Sequence, residues 1–343
     1  MRAFDLSIIG ATGAVGAELI SLLESSQIPV SRLRLLASHN STGRQSKFRD
    51  EICIVKPLED INDTKADIAF FSAGSAVSAE WAPRFAAQGA LVIDNSNAFR
   101  MNPDVPLVVP QVNPSTLAIR PRSGIVANPN CSTIQLVRAL RPLVTAFEVH
   151  QIILTTYQAA SGGGLVGIDE LLNGTRTALD GRAEPRAERF PLPLAFNVIP
   201  QVGEIAPEGV TLEERKLIQE SRKIFGVPHL RLAATCVRVP VVNGHSEAVY
   251  LEFEEPVCLE RIHKLLVEEP GVRLYADGIR EGYPTPRFLK DPAMVHVGRV
   301  RVNPENPRAL WLWVVANNLQ VGAALNALLI AQLAIANNTI GGT

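Results

Sequence analysis

The stretch Leu6-Ser7-Ile8-Ile9-Gly10-Ala11-Thr12-Gly13-Ala14-Val15-Gly16 decides the fold. A short apolar run ends on Gly10, glycine recurs at 13 and 16, and a helical pattern follows over residues 14–25. Glycine at a strand-to-helix turn lets the backbone approach a pyrophosphate, and the helix N-terminus offers unpaired N–H groups and a positive dipole end. The spacing G-x-x-G-x-x-G is a variant of the dinucleotide fingerprint. A tight turn without a ligand needs similar residues, but the place of this one on the first strand of an alternating pattern favours the dinucleotide reading.

Outward from it, residues 34–37, 52–55, 68–71, 91–93 and 107–109 are further short β-branched or apolar runs, with a second helix over 77–88 stopped by Gly89. Strands alternating with helices predict a parallel sheet with crossover helices, a Rossmann-like domain over residues 1–130. Beyond residue 149 the texture changes to longer strands over 149–158, 230–239, 247–254 and 309–315, with helices over 167–179 and 212–225. That pattern predicts an α+β domain with a mixed sheet over 131–317, suited to catalysis and dimerisation. Residues 173–193, rich in Arg, Glu, Gly and Pro, read as a surface excursion. Residues 318–343 supply an apolar helix over 318–340 expected to pack back on the first domain.

Composition closes off other classes. The chain has 343 residues, 47% apolar and 20% charged, with formal net charge −1. At roughly 150 residues per domain this length suits two domains. A balanced charge argues against nucleic-acid binding, which needs a basic face to neutralise phosphates. The opening residues lack the layout of a secretory signal, and no uncharged run reaches the roughly 18 residues of a membrane span. Four cysteines, Cys53, Cys131, Cys236 and Cys258, have neither close pairing nor metal-ligand spacing. A reduced cytoplasmic compartment, with no disulfide framework and no metal site, is the expectation.

The end of the second strand separates the two nicotinamide dinucleotides. An acid there would bind the ribose 2′-hydroxyl, whereas small polar groups and a base accept a 2′-phosphate. The segment Ala37-Ser38-His39-Asn40-Ser41-Thr42-Gly43-Arg44 holds no acid. NADP is favoured, with a plain polar loop as the bland reading.

The segment Ala127-Asn128-Pro129-Asn130-Cys131-Ser132-Thr133 precedes an apolar-periodic helix over 134–143. Unpaired N–H groups at a helix start stabilise a thiolate and make such a cysteine nucleophilic. The other three cysteines sit in strand-like or apolar settings and suit buried structural roles. Asn243-Gly244 between β-branched runs reads as a two-residue hairpin turn, which would pair Val242 with His245 and put Arg238 and His245 on one sheet face. Pro240 is the residue that could bulge and shift that register. Glu213 and Lys216 are i,i+3 neighbours on a helix, able to offer opposite charges to one substrate or to form an ordinary surface pair.

Five segments taken together, Gly10 to Gly16, Asp94-Asn95-Ser96-Asn97-Ala98-Phe99-Arg100, Asn128 to Thr133, Tyr157-Gln158-Ala159-Ala160-Ser161-Gly162-Gly163-Gly164 and Arg238-Val239-Pro240-Val241-Val242-Asn243-Gly244-His245-Ser246-Glu247, resemble the aspartate-semialdehyde dehydrogenase family. The resemblance runs in order over nearly the whole chain. It implies that Cys131 is the nucleophile, that Gln158 orients the intermediate and that His245 is the acid/base. It also implies Arg238 for the substrate carboxylate, Glu213 for its amine, and Arg100, Asn130 and Lys216 for phosphate. For the cofactor, the turn and the loop after the second strand nominate Gly10, Thr12, Gly13, Ala14, Val15, Ser38, Asn40 and Ser41, and the resemblance adds Ser161, Gly162 and Asn318.

The implied activity is NADPH-dependent reductive dephosphorylation of L-aspartyl phosphate to the semialdehyde through a thioester on Cys131, by a homodimer, in the pathway to lysine, threonine and methionine. The partners expected are a small acyl phosphate or semialdehyde and phosphate, with no nucleic acid and no membrane. The sequence departs from the family pattern at Asn40, where an arginine is common, at Gln111, commonly glutamate, and at Asn317 and Gln320, commonly aspartate and arginine. These departures point toward a diverged branch such as the USG-type homologues. Action on another acidic semialdehyde, or a silent paralogue that binds nucleotide or an oligomer partner, are the alternatives. A nucleophile and base retained together weigh against the silent paralogue.

Overall fold

The opening apolar run folds as β1 (Phe4–Ile9), a central strand of the first of two units in a computed structural model that describes residues 2–61, 64–181, 186–275 and 282–340. The first unit comprises Met1–Asn130 and Ala323–Thr343, and the second Cys131–Gly322.

In the first unit β1 is followed by α1 (Ala14–Ser25), β2 (Val30–Ala37), β3 (Gln45–Phe48), β4 (Glu51–Ile54), β5 (Lys56–Pro57), β6 (Ile68–Phe71), α2 (Ser75–Ala87), β7 (Leu91–Asp94) and β8 (Ile125–Ala127). The main sheet runs β5-β2-β1-β6-β7-β8 with every pair parallel. A parallel sheet covered on both faces demands continuous apolar strands, and all residues of β6 and β7 are buried. The strand order reverses between β1 and β6, so the ligand crevice of such a sheet lies at their carboxyl ends. Gly10 sits there with φ +83°, and a Cβ on it would come 2.5 Å from Ser72 O, so the turn tolerates only glycine.

Two expected strands differ. Residues 52–55 leave the main sheet, because Glu51–Ile54 pairs antiparallel with Gln45–Phe48 as a separate hairpin. Residues 107–109 make only the single bridge Leu107 to Ala127, since Pro106 and Pro110 flank it and cannot donate to a ladder. The closing helix (Leu325–Ala336) packs Ala327, Leu328, Ile330, Ala331 and Ala334 into the same core as Leu6, Ile8, Leu91 and Ile93. Asn326, its buried polar residue, spends its amide on Val108 O at 2.9 Å and Asn128 Oδ1 at 2.7 Å.

The second unit contains α3 (Cys131–Ala146), β9 (Val149–Gln158), α4 (Gly164–Asp180), α5 (Leu212–Phe225), β10 (Arg231–Arg238), β11 (His245–Phe253), α6 (Leu259–Glu268), β12 (Val272–Leu274), β13 (Val295–Asn303) and β14 (Asn306–Ala316). Its sheet is mixed, in the order β10-β9-β11-β14-β13-β12, with β10–β9 and β12–β13 parallel and the other pairs antiparallel. Alternation is clean along β9: Ile152, Leu154, Thr156 and Gln158 are buried while Ile153 is exposed.

The expected hairpin at Asn243-Gly244 does not form. The strands β10 and β11 are separated by β9, and the segment joining them crosses over its end, with Ala160 and Ser161 donating to Val241 O and Val242 O. Pro240 cannot donate, and Gly244 with φ +95° turns the chain into β11 instead of closing a two-residue loop. Nor is 173–193 simply a surface excursion: α4 extends to Asp180, and Phe190 is buried with Ala160, Leu171, Leu194 and Ile199. Residues 182–185 of that stretch lie outside the described residues. The helix expected from Asn318 starts as a π-turn at Gln320–Ala324 before Leu325–Ala336. Residues 318–322 belong to the second unit, where the Asn318 side chain accepts from Gly244 N at 2.9 Å and a Cβ on Gly322 would come 2.7 Å from Cys131 Cβ.

Candidate active site

In the first unit the fingerprint turn and the loop after β2 meet: Thr12 Oγ1 lies 3.1 Å from Ser41 Oγ. Gly10, Thr12, Gly13, Ala14 and Val15 form the turn into α1, whose N-cap is Gly13, and Ser38, Asn40 and Ser41 lie on the exposed or half-buried loop beside it. The first turn of α1 holds no acidic side chain to oppose an anion. Glu59 and Asp60 approach His39 Nε2 at 3.9 and 3.6 Å. A cradle only glycine fits, a helix N-terminus and two hydroxyls suit the pyrophosphate and ribose of a dinucleotide.

Arg100 and Asn130, both buried, also belong to this unit. Arg100 donates through Nε to Asn128 O at 2.9 Å and through Nη2 to Asn95 O at 2.7 Å, which sets the plane of its guanidinium. Asn128 in turn donates to Asn95 Oδ1 at 2.8 Å. The chain leading up to Asn130 is therefore held through Asn95, Arg100 and Asn128.

The second unit gathers the remaining candidates. Cys131 is the first residue of α3, half-buried, where the helix's unpaired N–H groups favour a thiolate. Cys236 is the opposite case: burial pushes its thiol up, away from reactivity. Cys53 is half-buried and Cys258 exposed, so the expected buried role does not hold for these two. Behind the α3 start, β9, β10 and β11 lay a polar row across the sheet. Arg238 pairs directly with Gln158, and His245 enters beside Gln158 because Ser246 pairs with Tyr157. Arg238 and His245 thus do share one face, with β9 between them and not through a hairpin.

Each side chain in this row is pinned. Gln158 Nε2 lies 3.0 Å from Ser132 Oγ, 3.3 Å from Thr156 Oγ1 and 3.4 Å from Glu213 Oε1. Arg238 donates from Nη1 to Ala159 O at 2.7 Å, and its guanidinium covers the Phe190 ring at 5.2 Å from the centroid. Burial lowers the Arg238 pKa, opposed by the negative charges of Glu213 and Cys131. Glu213 is buried at the start of α5 and receives Lys216 Nζ at 3.0 Å.

His245 is fully buried, and its Nδ1 accepts the Ala159 N–H at 3.0 Å. Burial, reinforced by Arg238 and resisted by Glu213, brings its pKa down to about 3, so the ring is neutral at physiological pH. With Nδ1 accepting, the ring proton resides on Nε2. Gly162 marks where these groups converge: a Cβ there would lie 2.7 Å from Arg238 Nη1 and 3.3 Å from His245 Nε2. Ser161 Oγ, one residue before, is 3.0 Å from both Asn318 Oδ1 and Asn243 Oδ1.

Three contributors escape sequence reasoning. Ser132 reads as part of a polar helix start, and Phe190 lies in a segment whose composition suggested solvent. Glu214 carried a legible signal, the Thr-x-x-Glu of a capping box with Thr211, which is observed. Among the described residues no cluster of three or more His, Cys, Asp or Glu is placed to hold a metal ion, and no helix is long and apolar enough to cross a membrane.

Comparison with known proteins matches this chain to two family models: the semialdehyde dehydrogenase NAD binding domain over residues 5–119 and the semialdehyde dehydrogenase dimerisation domain over residues 140–321. It is 42% identical to the aspartate-semialdehyde dehydrogenase of Aquifex aeolicus, over 98% of this chain and 99% of that one. It is also 42% identical to aspartate-semialdehyde dehydrogenase 2 of Vibrio cholerae, over 97% and 98% of the two chains. A crystal structure of aspartate semialdehyde dehydrogenase II from Vibrio cholerae, complexed with ASA, superposes with a TM-score of 0.94 at 41% identity, covering 98% of this chain and 99% of that one.

Proposed function

This chain belongs to the semialdehyde dehydrogenase family, and from that premise we propose that it is an aspartate-semialdehyde dehydrogenase that converts L-aspartyl phosphate to L-aspartate 4-semialdehyde with NADPH. The observation that carries the reading is the convergence of Arg238 and His245 over Gly162, in the same unit as a cysteine that opens a helix. A binding module has no use for that set.

The Cys131 thiolate attacks the acyl carbon, a C–S bond forms, the C–O bond to phosphate breaks, and phosphate leaves with the electron pair. Arg238 holds the substrate carboxylate by a forked pair of hydrogen bonds, and Glu213 faces the amine, which orients the carbonyl against the sulfur. Arg100, Asn130 and Lys216 are the groups proposed for the phosphate. The dinucleotide, when bound, supplies the hydride that reduces the thioester carbonyl. Gly10, Thr12, Gly13, Ala14, Val15, Ser38, Asn40 and Ser41 are proposed to hold it, with Ser161, Gly162 and Asn318 toward its reacting end.

His245, implied by the resemblance as an acid/base, is proposed instead as a hydrogen-bond donor, because its buried ring stays neutral. Its Nε2–H is the free position on a neutral ring, suited to hydrogen-bond the oxyanion left on the former thioester carbon. Collapse of that oxyanion re-forms C=O as the C–S bond breaks, which returns the thiolate without a net proton change on the ring. The hydrogen bond that holds Gln158 at Ser132 supports its proposed role in orienting the same oxygen.

The absence of an acid after β2 supports NADP over NAD. A homodimer is supported by the outer sheet face, where Tyr157–Trp313 and Tyr250–Trp311 form aromatic pairs at 5.5 and 5.0 Å beside exposed Ile153, on a segment matching a dimerisation domain. The deciding assay is phosphate-dependent NADP+ reduction across aspartate, N-acetylglutamate and glutamate semialdehydes, with limited iodoacetamide treatment and peptide mapping alongside. Turnover of aspartate semialdehyde that is lost in step with alkylation of Cys131 is the expected result. Loss tracking Cys53, Cys236 or Cys258, or no phosphate-dependent turnover, would overturn it.

A further inference from the structure

The start of α5 reads Thr211-Leu212-Glu213-Glu214-Arg215-Lys216. Thr211 Oγ1 accepts from Glu214 N at 3.3 Å, and Glu214 Oε2 accepts from Thr211 N at 2.7 Å, a capping box that satisfies two first-turn donors. Such an acid ordinarily spends itself on its own helix at the surface. Glu214 is buried, and its other oxygen, Oε1, accepts the backbone N–H of Cys236 at 2.9 Å.

Cys236 lies in β10, the edge strand of its sheet, two residues before Arg238 and on the same face. One carboxylate therefore joins two elements. On the helix side it adjoins Glu213, which pairs with Lys216, and on the strand side it holds the segment that ends in Arg238. Arg238 and Glu213 have further anchors, Ala159 O for the first and Gln158 and Lys216 for the second. At the far end of α5 a separate bond, Arg222 Nε to Leu230 O at 2.9 Å, keeps the helix docked.

We propose that Glu214 is a positioning residue, whose bridge between α5 and β10 fixes the spacing between Arg238 and the Glu213–Lys216 pair and so the fit of a zwitterionic substrate. This rests on the reading above that Arg238 and Glu213 touch that substrate. Misplacing either end by a fraction of an ångström loosens binding before it alters the chemistry at Cys131. The bridge is asymmetric in a useful way, because Thr211→Ala removes a capping hydroxyl but leaves both carboxylate bonds of Glu214 intact.

The test is steady-state kinetics in the oxidative direction on the full-length protein, with thermal melting as a control. Glu214→Gln keeps the shape but presents an NH2 group to one of the two N–H donors. It is expected to raise the KM for aspartate semialdehyde by about tenfold while kcat and the cofactor KM move less than about twofold. Thr211→Ala is expected to lower the melting temperature and leave that KM unchanged. Arg238→Lys, which loses the planar fork, is the reference for the substrate site.

A rise in KM with Arg238→Lys but none with Glu214→Gln would overturn the role of Glu214 alone. No rise with either would overturn the substrate site itself. An equal rise with Thr211→Ala would assign the effect to the helix cap and refute the bridge. Should the glutamine variant not fold, Glu214→Asp, which keeps the charge at shorter reach, is judged by the same KM criterion.

Discussion

The Ala159 N–H donates to His245 Nδ1 at 3.0 Å, and this one bond fixes which ring nitrogen carries the proton. A backbone donor cannot turn away, so the neutral ring keeps its proton on Nε2. Arg238 and His245 reach the same point over Gly162 from strands on either side of β9.

That bond makes a prediction about residue type. If His245 works as a hydrogen-bond donor, His245→Gln, whose amide NH2 reaches a similar position, should retain roughly tenfold or more activity over His245→Ala. The pH profile of kcat should also lack a limb near the usual imidazole range. Equal losses in both variants, with a limb near pH 6.5, would restore a base role.

Gly162 should not tolerate a methyl group. An added Cβ would lie 2.7 Å from Arg238 Nη1 and 3.2 Å from His245 Cε1, and the arginine is already fastened to Ala159 O and packed on Phe190. Gly162→Ala should lower kcat/KM by about a hundredfold while the melting temperature falls little. Wild-type kinetics in the alanine protein would place the convergence point elsewhere.

For the cofactor, wild type should bind NADP(H) more tightly than NAD(H), because no acid follows β2. Asn40 is exposed on that loop and uncharged. Asn40→Arg should widen the preference by about tenfold, through a charge-assisted bond to the 2′-phosphate. Titration of both dinucleotides against both proteins checks this, and tighter NAD than NADP in wild type would refute it.

Glu247 offers a test through pH. It is fully buried on β11, two residues beyond His245, and burial raises its pKa well above the usual carboxylate range, partly offset by Gln135. A raised native pKa means the folded state binds more protons than the unfolded one above about pH 4.5, so the residue costs stability as pH rises. Glu247→Gln should therefore melt higher than wild type at pH 7, with the difference vanishing toward pH 4. The same shift at both values would exclude titration as its cause.

His245 contributes in the reverse sense. Its pKa, lowered to about 3 from the ordinary 6.5, means that the unfolded chain binds the extra proton between those values. Stability from this residue is present above pH 6.5 and is lost as pH falls toward 3. His245→Gln should flatten the acid side of the stability curve measured by denaturant midpoint, and an unchanged curve would mean that the buried ring is not neutral.

Local chemistry explains what was legible. The turn at Gly10, the helix start at Cys131 and the span of α5 are encoded by residues adjacent in the chain, where glycine, proline and capping side chains act directly on the backbone. The dinucleotide fold and most of its strands followed from apolar runs that only a doubly covered parallel sheet can bury. The Asn243-Gly244 dipeptide misled for a related reason: the same pair that favours a hairpin also suits any sharp entry to a strand, and which strand lies alongside is not a local property.

The sequence by itself determined the two-part α/β architecture, the fingerprint turn and the identity of the chemical groups, since these depend on periodicity and residue type within a few positions. Only the tertiary structure decided that β9 lies between β10 and β11, that Arg238, Gln158 and His245 form one row, and that Glu214 reaches Cys236. Strand order is set by pairings as distant in the chain as Val149 with Phe253, and the protonated nitrogen of a buried histidine by a donor 86 residues away, through burial and hydrogen bonds that exist only once the sheet has closed around them.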